Sequence, residues 1–260
     1  MIKRISIIAL ILLVIGIIGS IFTINTQIDQ AEILEEKMIH SSDFNNIELS
    51  TDNAVITLLP TDGETKVELS GNDSLHELEA DVIDDTLKIN VRTRNKLISF
   101  DLFSKGLTLT VSVPKNKYEN IHIKNNNGHI HVTDVEGNKI QAETDNGRIE
   151  LHNIVADVIK ADTDNGKIDM KNIEGEIIGK TNNGRISLVT DDLNQSIDLH
   201  SDNGRVDIQS KNKPTNAVLD LNTENGRVSV FGKSNWDTVI GEGENIVKVK
   251  TSNGRITISK

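Results

Sequence analysis

The chain contains no cysteine, which excludes disulfides, thiolate metal sites, a cysteine nucleophile and a lipid-carrying cysteine. That absence also fits the outer face of many Gram-positive bacteria. Aromatic residues are scarce, at 3% with one Trp and one Tyr, so a carbohydrate-stacking subsite is poorly supplied. Positive charge is scarce too. The net charge is −11, and Lys3 and Arg4 are the only charges before Asp29. The remainder holds 28 − 2 = 26 basic and 39 acidic residues, a net of −13. Such a body repels nucleic acid and anionic lipid headgroups, so nucleic acid is not an expected partner.

What is present begins with Ile5–Phe22, ISIIALILLVIGIIGSIF, eighteen residues without a charge. As a helix it would rise about 27 Å, close to the hydrocarbon thickness of a bilayer. Lys3 and Arg4 precede it and no basic residue follows until Lys37, so the positive-inside rule puts the N-terminus in the cytoplasm and the rest outside. A cleaved signal peptide is the rival reading, but the apolar run exceeds a usual h-region and no Ala-x-Ala site follows. The expected organisation is a cytoplasmic tip (1–4), a transmembrane signal-anchor helix (5–24), a stalk (25–42), an irregular β cap (43–120) and a regular β-repeat domain (121–260). Ile28, Ala31, Leu34 and Met38 make a weak helical stripe, which predicts a short stalk helix.

From residue 121 the sequence repeats itself. Asn127-Gly128, Asn146-Gly147, Asn165-Gly166, Asn183-Gly184, Asn203-Gly204, Asn225-Gly226 and Asn253-Gly254 place successive glycines 19, 19, 18, 20, 22 and 28 residues apart. So regular a step marks a repeat architecture. Within a unit, Ile140, Ala142 and Thr144, then Ile149 and Leu151, alternate with charged or polar residues. That is the period-two signature of strands with one buried face on each side of a turn. Asn-Gly is expected to supply the positive φ of a corner. Hairpins in an antiparallel meander would share this pattern. The near-constant period favours an all-β solenoid, because stacked coils must match in length and nineteen extended residues make a path of roughly 60 Å. The longer last intervals are read as loops bulging from a coil. Thr51–Leu58 matches Thr144–Leu151 position by position, with Ala54 in place of glycine, so the repeat extends weakly into the cap.

Stacking predicts columns of side chains. One outward row is Asp145, Asp164, Asn182, Asp202, Glu224 and Ser252. A neighbouring basic row, Arg148, Lys167, Arg185, Arg205, Arg227 and Arg255, is expected to be compensated by it and is the candidate surface for a polymer or partner. The turn asparagines are expected to form an inward amide ladder.

Val111-Ser-Val-Pro114-Lys, Tyr118-Glu-Asn-Ile121-His-Ile123 and Asn-Gly-Arg-Ile units such as Asn183–Leu188 resemble a family of bacterial β-strand-repeat envelope proteins labelled putative adhesins, with LiaG-like membrane-anchored proteins among them. The resemblance spans roughly residues 43–260. It implies this fold, an association with envelope-stress systems of Gram-positive bacteria, and no catalytic residues or cofactors.

Other chemistry finds less support. Glu143, Asp145 and Glu150 are candidate carboxylates for a polysaccharide-cleaving β-helix enzyme, but equivalents recur in every unit, as solubilising positions do; no catalysis is expected. His122, His129 and His131, with His152 one repeat on, could converge on zinc, but solvent-facing histidine is the plainer reading and no metal site is expected. Asp-Asn-Gly echoes a calcium loop without its later oxygen ligands. An arginine in each coil could track an anionic wall polymer such as a teichoic acid. A long rigid surface near a membrane suits docking of an envelope protein partner. The resulting expectation is a non-catalytic, single-pass, extracytoplasmic scaffold or stress accessory, with an adhesin-like polymer-binding module as the alternative.

Overall fold

A computed structural model describes residues 32–40, 44–71, 76–93 and 106–260. Ile5–Phe22 and half of the stalk (25–31 and 41–42) lie outside the described residues. Among those described, no helix is long and apolar enough to cross a membrane. The ordered elements are β1 (Glu32–Ile39), β2 (Asn46–Thr61), β3 (Thr65–Gly71), β4 (His76–Ile83), β5 (Thr86–Thr93), β6 (Leu107–Pro114), β7 (Lys117–Thr133), β8 (Glu136–Thr190), β9 (Ile197–Asn203), β10 (Val206–Ser210), β11 (Ala217–Val230), β12 (Val239–Ile240) and β13 (Asn245–Ser259). The fold is all-β and solenoidal. β8 alone runs through 55 residues, almost three turns of a nineteen-residue coil.

The coils stack in parallel with each repeat over the next. Asn53 pairs with Asn127 and Asn127 with Asn146. Further on, Asn183 pairs with Asn203 and Asn203 with Asn253. Alternation along each strand sends Ile130, Ile149, Ile168, Ile186, Val206 and Ile256 inward, all of them fully buried. Each such side chain contributes on the order of 1.5–3 kcal/mol of transfer free energy, and stacking like-shaped β-branched residues favours close packing between layers.

Spatial order departs from sequence order at both ends. β13 lies between β9/β10 and β11: Val206 pairs with Ile256, and Ile256 pairs with Val228. The corner column therefore runs 204, 254, 226: the 22-residue interval carries the chain outward to the end coil, and the 28-residue interval brings it back inside. At the other end β2 is sandwiched between β7 and the β5–β6 pair, although β5 and β6 follow it in sequence. Thus β13, the last strand in sequence, lies inside the stack and not at its edge. The β6 side is closed by antiparallel pairing of β6 with β3, and β1 pairs in turn with β3. β4 pairs antiparallel with β5. The other end has a lighter cover, as β12 pairs only with Ala217 and Val218 of β11.

The stalk helix is corrected over residues 32–39, which form β1. The unpaired edge of β3 offers ladder hydrogen bonds to this segment. Leu34 and Ile39 pack on the core, Lys66 Nζ reaches Glu36 at 3.0 Å, and Leu78 N donates to Glu35 at 3.2 Å. A stripe of four apolar residues has little with which to oppose such tertiary pairing.

The Asn-Gly corners also differ from expectation in two respects. The asparagine ladder is continuous but exposed, and faces solvent instead of the core. Asn127 donates to Asn53, Asn146 to Asn127, Asn165 to Asn146 and Asn183 to Asn165, each at 2.9–3.0 Å. It goes on through Asn203, Asn253 and Asn225. The glycines, for their part, are required mainly by space. A Cβ on Gly166 would stand 1.8 Å from the Gly147 carbonyl oxygen, and one on Gly184 1.6 Å from that of Gly166. Only Gly128 and Gly147 in the column hold a φ hostile to side chains. Beneath this column Thr144, Thr163, Thr181, Ser201 and Thr251 are buried, and the Ser201 and Thr251 hydroxyls donate to the carbonyls of Gly184 and Gly204.

A second corner, which the sequence reading did not single out, lies at Asp134, Asn153 and Asn172. All three have φ near +55° (56°, 54° and 53°), the left-handed region that Asn and Asp tolerate best. Their side chains form a second ladder: Asn153 donates to Asp134 at 2.8 Å and Asn172 to Asn153 at 2.9 Å. Their nineteen-residue recurrence is the signal by which they could have been found.

Candidate binding surface

Parallel register turns the basic residues into one column. In spatial order it runs Val55, His129, Arg148, Lys167, Arg185, Arg205, Arg255 and Arg227, with Val55 opposite His129, His129 opposite Arg148, and Arg255 opposite Arg227. Successive members lie one coil apart, about 4.8 Å, so the column needs nearby negative charge.

That charge comes from a different place than expected. The row Asp145, Asp164, Asn182, Asp202 lies across the asparagine column, where Asn182 donates to Asp164 at 2.9 Å. The basic side chains turn the other way, to acids two positions further along their own strands or, for Arg185, at that position in the next coil. Arg148 pairs with Glu150 at 3.1 Å, Lys167 with Asp169 at 2.6 Å, Arg185 with Asp207 at 2.9 Å and Arg205 with the same Asp207 at 3.4 Å. These pairs are partly exposed, so each contributes ~0–1 kcal/mol. Their larger effect is to neutralise the wall locally.

The pairing stops at the last two coils. There the partner position is Thr257 or Ser229, and among the described residues Arg255 and Arg227 form no ion pair. They lie side by side, exposed, with Asn225, Gly226 and Gly254 along an open cleft. Beside the interior of that end coil a second cleft of about 450 Å³ is lined by Lys213, Lys233, Phe231, Trp236, Leu219 and Ile240. The Lys213 ammonium sits 5.7 Å from the Phe231 ring. The single tyrosine is no platform: Tyr118 is buried, stacks on Phe44 and donates its hydroxyl to Pro114 O at 2.6 Å. Burial pushes its phenol up to about 12.

The candidate carboxylates do not form one acid–base pair. Glu143 accepts from Gln141 and faces Lys160 at 3.6 Å; burial would raise its carboxyl, but Gln141, Lys160 and His122 hold it below its ordinary value. Asp145 is exposed at the corner. Glu150 instead meets two histidines, His129 at 3.1 Å and His131 at 3.5 Å. Burial alone would raise it, yet His129, Arg148 and His131 together keep it low. His152 stands edge-on to His131 with ring centres 5.3 Å apart, and its imidazole is pushed down by burial and by that neighbour. His122 lies elsewhere, 3.9 Å from Glu143.

Fold and surface together define a class: a parallel β-solenoid with self-neutralised side walls and one under-compensated basic end. The chain belongs to the Toastrack DUF4097 family, whose model matches residues 44–259. No curated protein matches the sequence. Solved structures that it resembles include a "putative cell adhesion protein" from Clostridium sporogenes (13% identity, 88% of this chain and 99% of that one, TM-score 0.37). Others are a "putative adhesin" from Bacteroides fragilis (14%, 86% and 96%, TM-score 0.38) and a "putative lipid binding protein" from Parabacteroides distasonis (16%, 87% and 96%, TM-score 0.41). At these identities and TM-scores the likeness carries no ligand or partner across.

Proposed function

We propose that this chain is a non-catalytic, adhesin-like surface module of the bacterial envelope, held at the outer face of the cell membrane by residues 5–24, and that its end coil binds an anionic wall polymer. The observation that carries this reading is the contrast within one column. Arg148, Lys167, Arg185 and Arg205 each already pair with a carboxylate, the last two sharing Asp207, whereas Arg255 and Arg227 present two adjacent guanidinium groups with no ion pair among the described residues. Guanidinium binds phosphate bidentately, and a polymer of repeating phosphates matches a repeating donor. The candidate row thus contracts from six residues to two.

A scaffold role for an envelope protein partner is the second reading, supported by the outer edge of β11. Leu221 and Val228 are only half-buried there, where their counterparts in inner coils are fully buried. The envelope-stress association belongs with this second reading.

Binding of full-length protein to purified teichoic-acid-class polymer separates the two. Affinity should fall steeply with salt and drop by roughly tenfold or more in Arg227→Ser/Arg255→Ser, while Arg185→Ser/Arg205→Ser has a smaller effect. Equal losses in the two double variants would remove the end-coil assignment. Salt-insensitive capture of a membrane protein would favour the scaffold.

A further inference from the structure

In a repeat, chemistry shows itself as a departure from the repeat. In three coils the two outward positions past the Asn-Gly corner carry a cation and then an acid: Arg148 and Glu150, Lys167 and Asp169, Arg205 and Asp207. In three others they carry an arginine and then a hydroxyl residue: Arg185 and Ser187, Arg255 and Thr257, Arg227 and Ser229. One coil departs from both patterns by placing imidazoles at both positions, His129 and His131. Register sets His129 beside Arg148 and His131 beside Glu150. Being two residues apart on one strand, both rings point to the same face, and Glu150 reaches diagonally between them.

The resulting geometry is that of a ligand set. His129 Nε2 lies 3.1 Å and His131 Nδ1 3.5 Å from Glu150 Oε2, and all three atoms fall within 4.8 Å of one another. Bonds of 2.0–2.1 Å to a tetrahedral zinc imply donor–donor edges of about 3.3–3.4 Å, so the two measured edges bracket the required value. Neither nitrogen is exposed to solvent, and neither makes a hydrogen bond. The other oxygen of Glu150 is engaged by Arg148 Nη1 at 3.1 Å, which fixes the carboxylate and leaves Oε2 facing the histidines. The side chains are 31%, 28% and 20% exposed, shielded enough to exclude most solvent and open enough to admit an ion.

We propose that His129, His131 and Glu150 form a zinc-class divalent metal site that joins two neighbouring coils. Two imidazoles and one carboxylate suit zinc and its Irving–Williams neighbours; calcium and magnesium prefer oxygen ligands alone. The fourth position faces outward, where water or an exogenous carboxylate or phosphate would complete the shell. This site stands apart from the Arg255–Arg227 pair and does not depend on the polymer reading.

The test is titration of full-length protein, stripped with a chelator, with Zn²⁺ in competition with a chromogenic chelator. One equivalent should bind with micromolar or tighter affinity and raise the thermal unfolding temperature. His129→Ala and His131→Ala should each weaken binding at least tenfold, and Glu150→Gln, which keeps the side-chain shape, should do the same. His122→Ala should leave binding unchanged. Co²⁺ in place of Zn²⁺ should give the intense visible absorption of a four- or five-coordinate centre, and that absorption should vanish in His131→Ala. Far-ultraviolet circular dichroism checks that each variant is folded, and Glu150→Gln decides the matter should an alanine variant not be. Absence of stoichiometric binding, or equal affinity in the His129→Ala/His131→Ala double variant, overturns the assignment.

Discussion

Replacing Gly166 with alanine isolates the contact on which the stack depends. The new Cβ would lie 1.8 Å from Gly147 O and 2.9 Å from both the Gly147 carbonyl carbon and Thr163 Oγ1. Ordinary contact begins near 3.4 Å, so the coils would have to part by 3.4 − 1.8 = 1.6 Å at this corner. Backbone ladder bonds near 2.9 Å do not survive such a displacement. Nor does the Asn165–Asn146 amide bond, now at 3.0 Å. Two ladder bonds and one amide bond, at ~0.5–1.5 kcal/mol each, give a loss of about 3 kcal/mol. Gly63→Ala is the matched control. Its Cβ would meet nothing closer than 3.6 Å, so it should change stability by no more than about 0.5 kcal/mol. Urea unfolding with an m-value of about 2 kcal/mol/M would show the Gly166→Ala midpoint some ~1.5 M below wild type. Amide exchange should accelerate first at the ladder positions beside residues 147 and 166. If Gly166→Ala unfolded at the same urea concentration as Gly63→Ala, the steric account of the glycine column would be wrong.

Three further outcomes follow from the same geometry. Asn165→Ala removes both the bond it donates to Asn146 and the one it accepts from Asn183, and should cost about 1 kcal/mol because the ladder is solvent-exposed; differential scanning calorimetry against Asn138→Ala, outside any ladder bond among the described residues, measures it. Deleting residues 245–260 takes out an inner strand, not an outer one, so amide exchange should show protection lost across 217–230 but kept in 121–190; retained protection of β11 would contradict the strand order. Asp134 is held below its ordinary carboxylate value chiefly by the hydrogen bond from Asn153, and then by that from Thr133. A depressed folded-state pKa means that this contribution is present above the unfolded value of about 3.9 and is lost as pH falls through the folded one. Asp134→Asn keeps the left-handed corner and the ladder acceptor, so its stability should decline less than wild type's between about pH 5 and pH 2; identical acid profiles would discount the carboxylate.

Much of the fold is legible in the sequence because a solenoid repeats its instructions. The inward residues around Ile149 and Leu151 and the column of arginines are read correctly from period two and period nineteen, since both depend only on chain geometry. The polarity of the asparagine ladder is not, because an amide can pair equally well in the core or at the surface, and the glycine beside it fixes only the corner. The metal candidate illustrates the same limit. His129 and His131 stand out in the sequence, but their partner Glu150 looks there like one more solubilising acid, and only register brings its free oxygen between the two rings.

Residue spacing by itself determined that coils form, how long each one is and which side chains face inward, because those are properties of an extended chain that must close on itself at equal intervals. Tertiary structure decided which coil lies next to which. A strand's edge accepts any partner of matching register, so spacing cannot tell that β13 enters between β10 and β11, or that residues 32–39 find the edge of β3. It also decided where charge is left over: Arg148, Lys167 and Arg205 pair along their strands with Glu150, Asp169 and Asp207, while Arg185, followed by Ser187, reaches across to Asp207. Arg255 and Arg227, followed by Thr257 and Ser229, form no ion pair among the described residues.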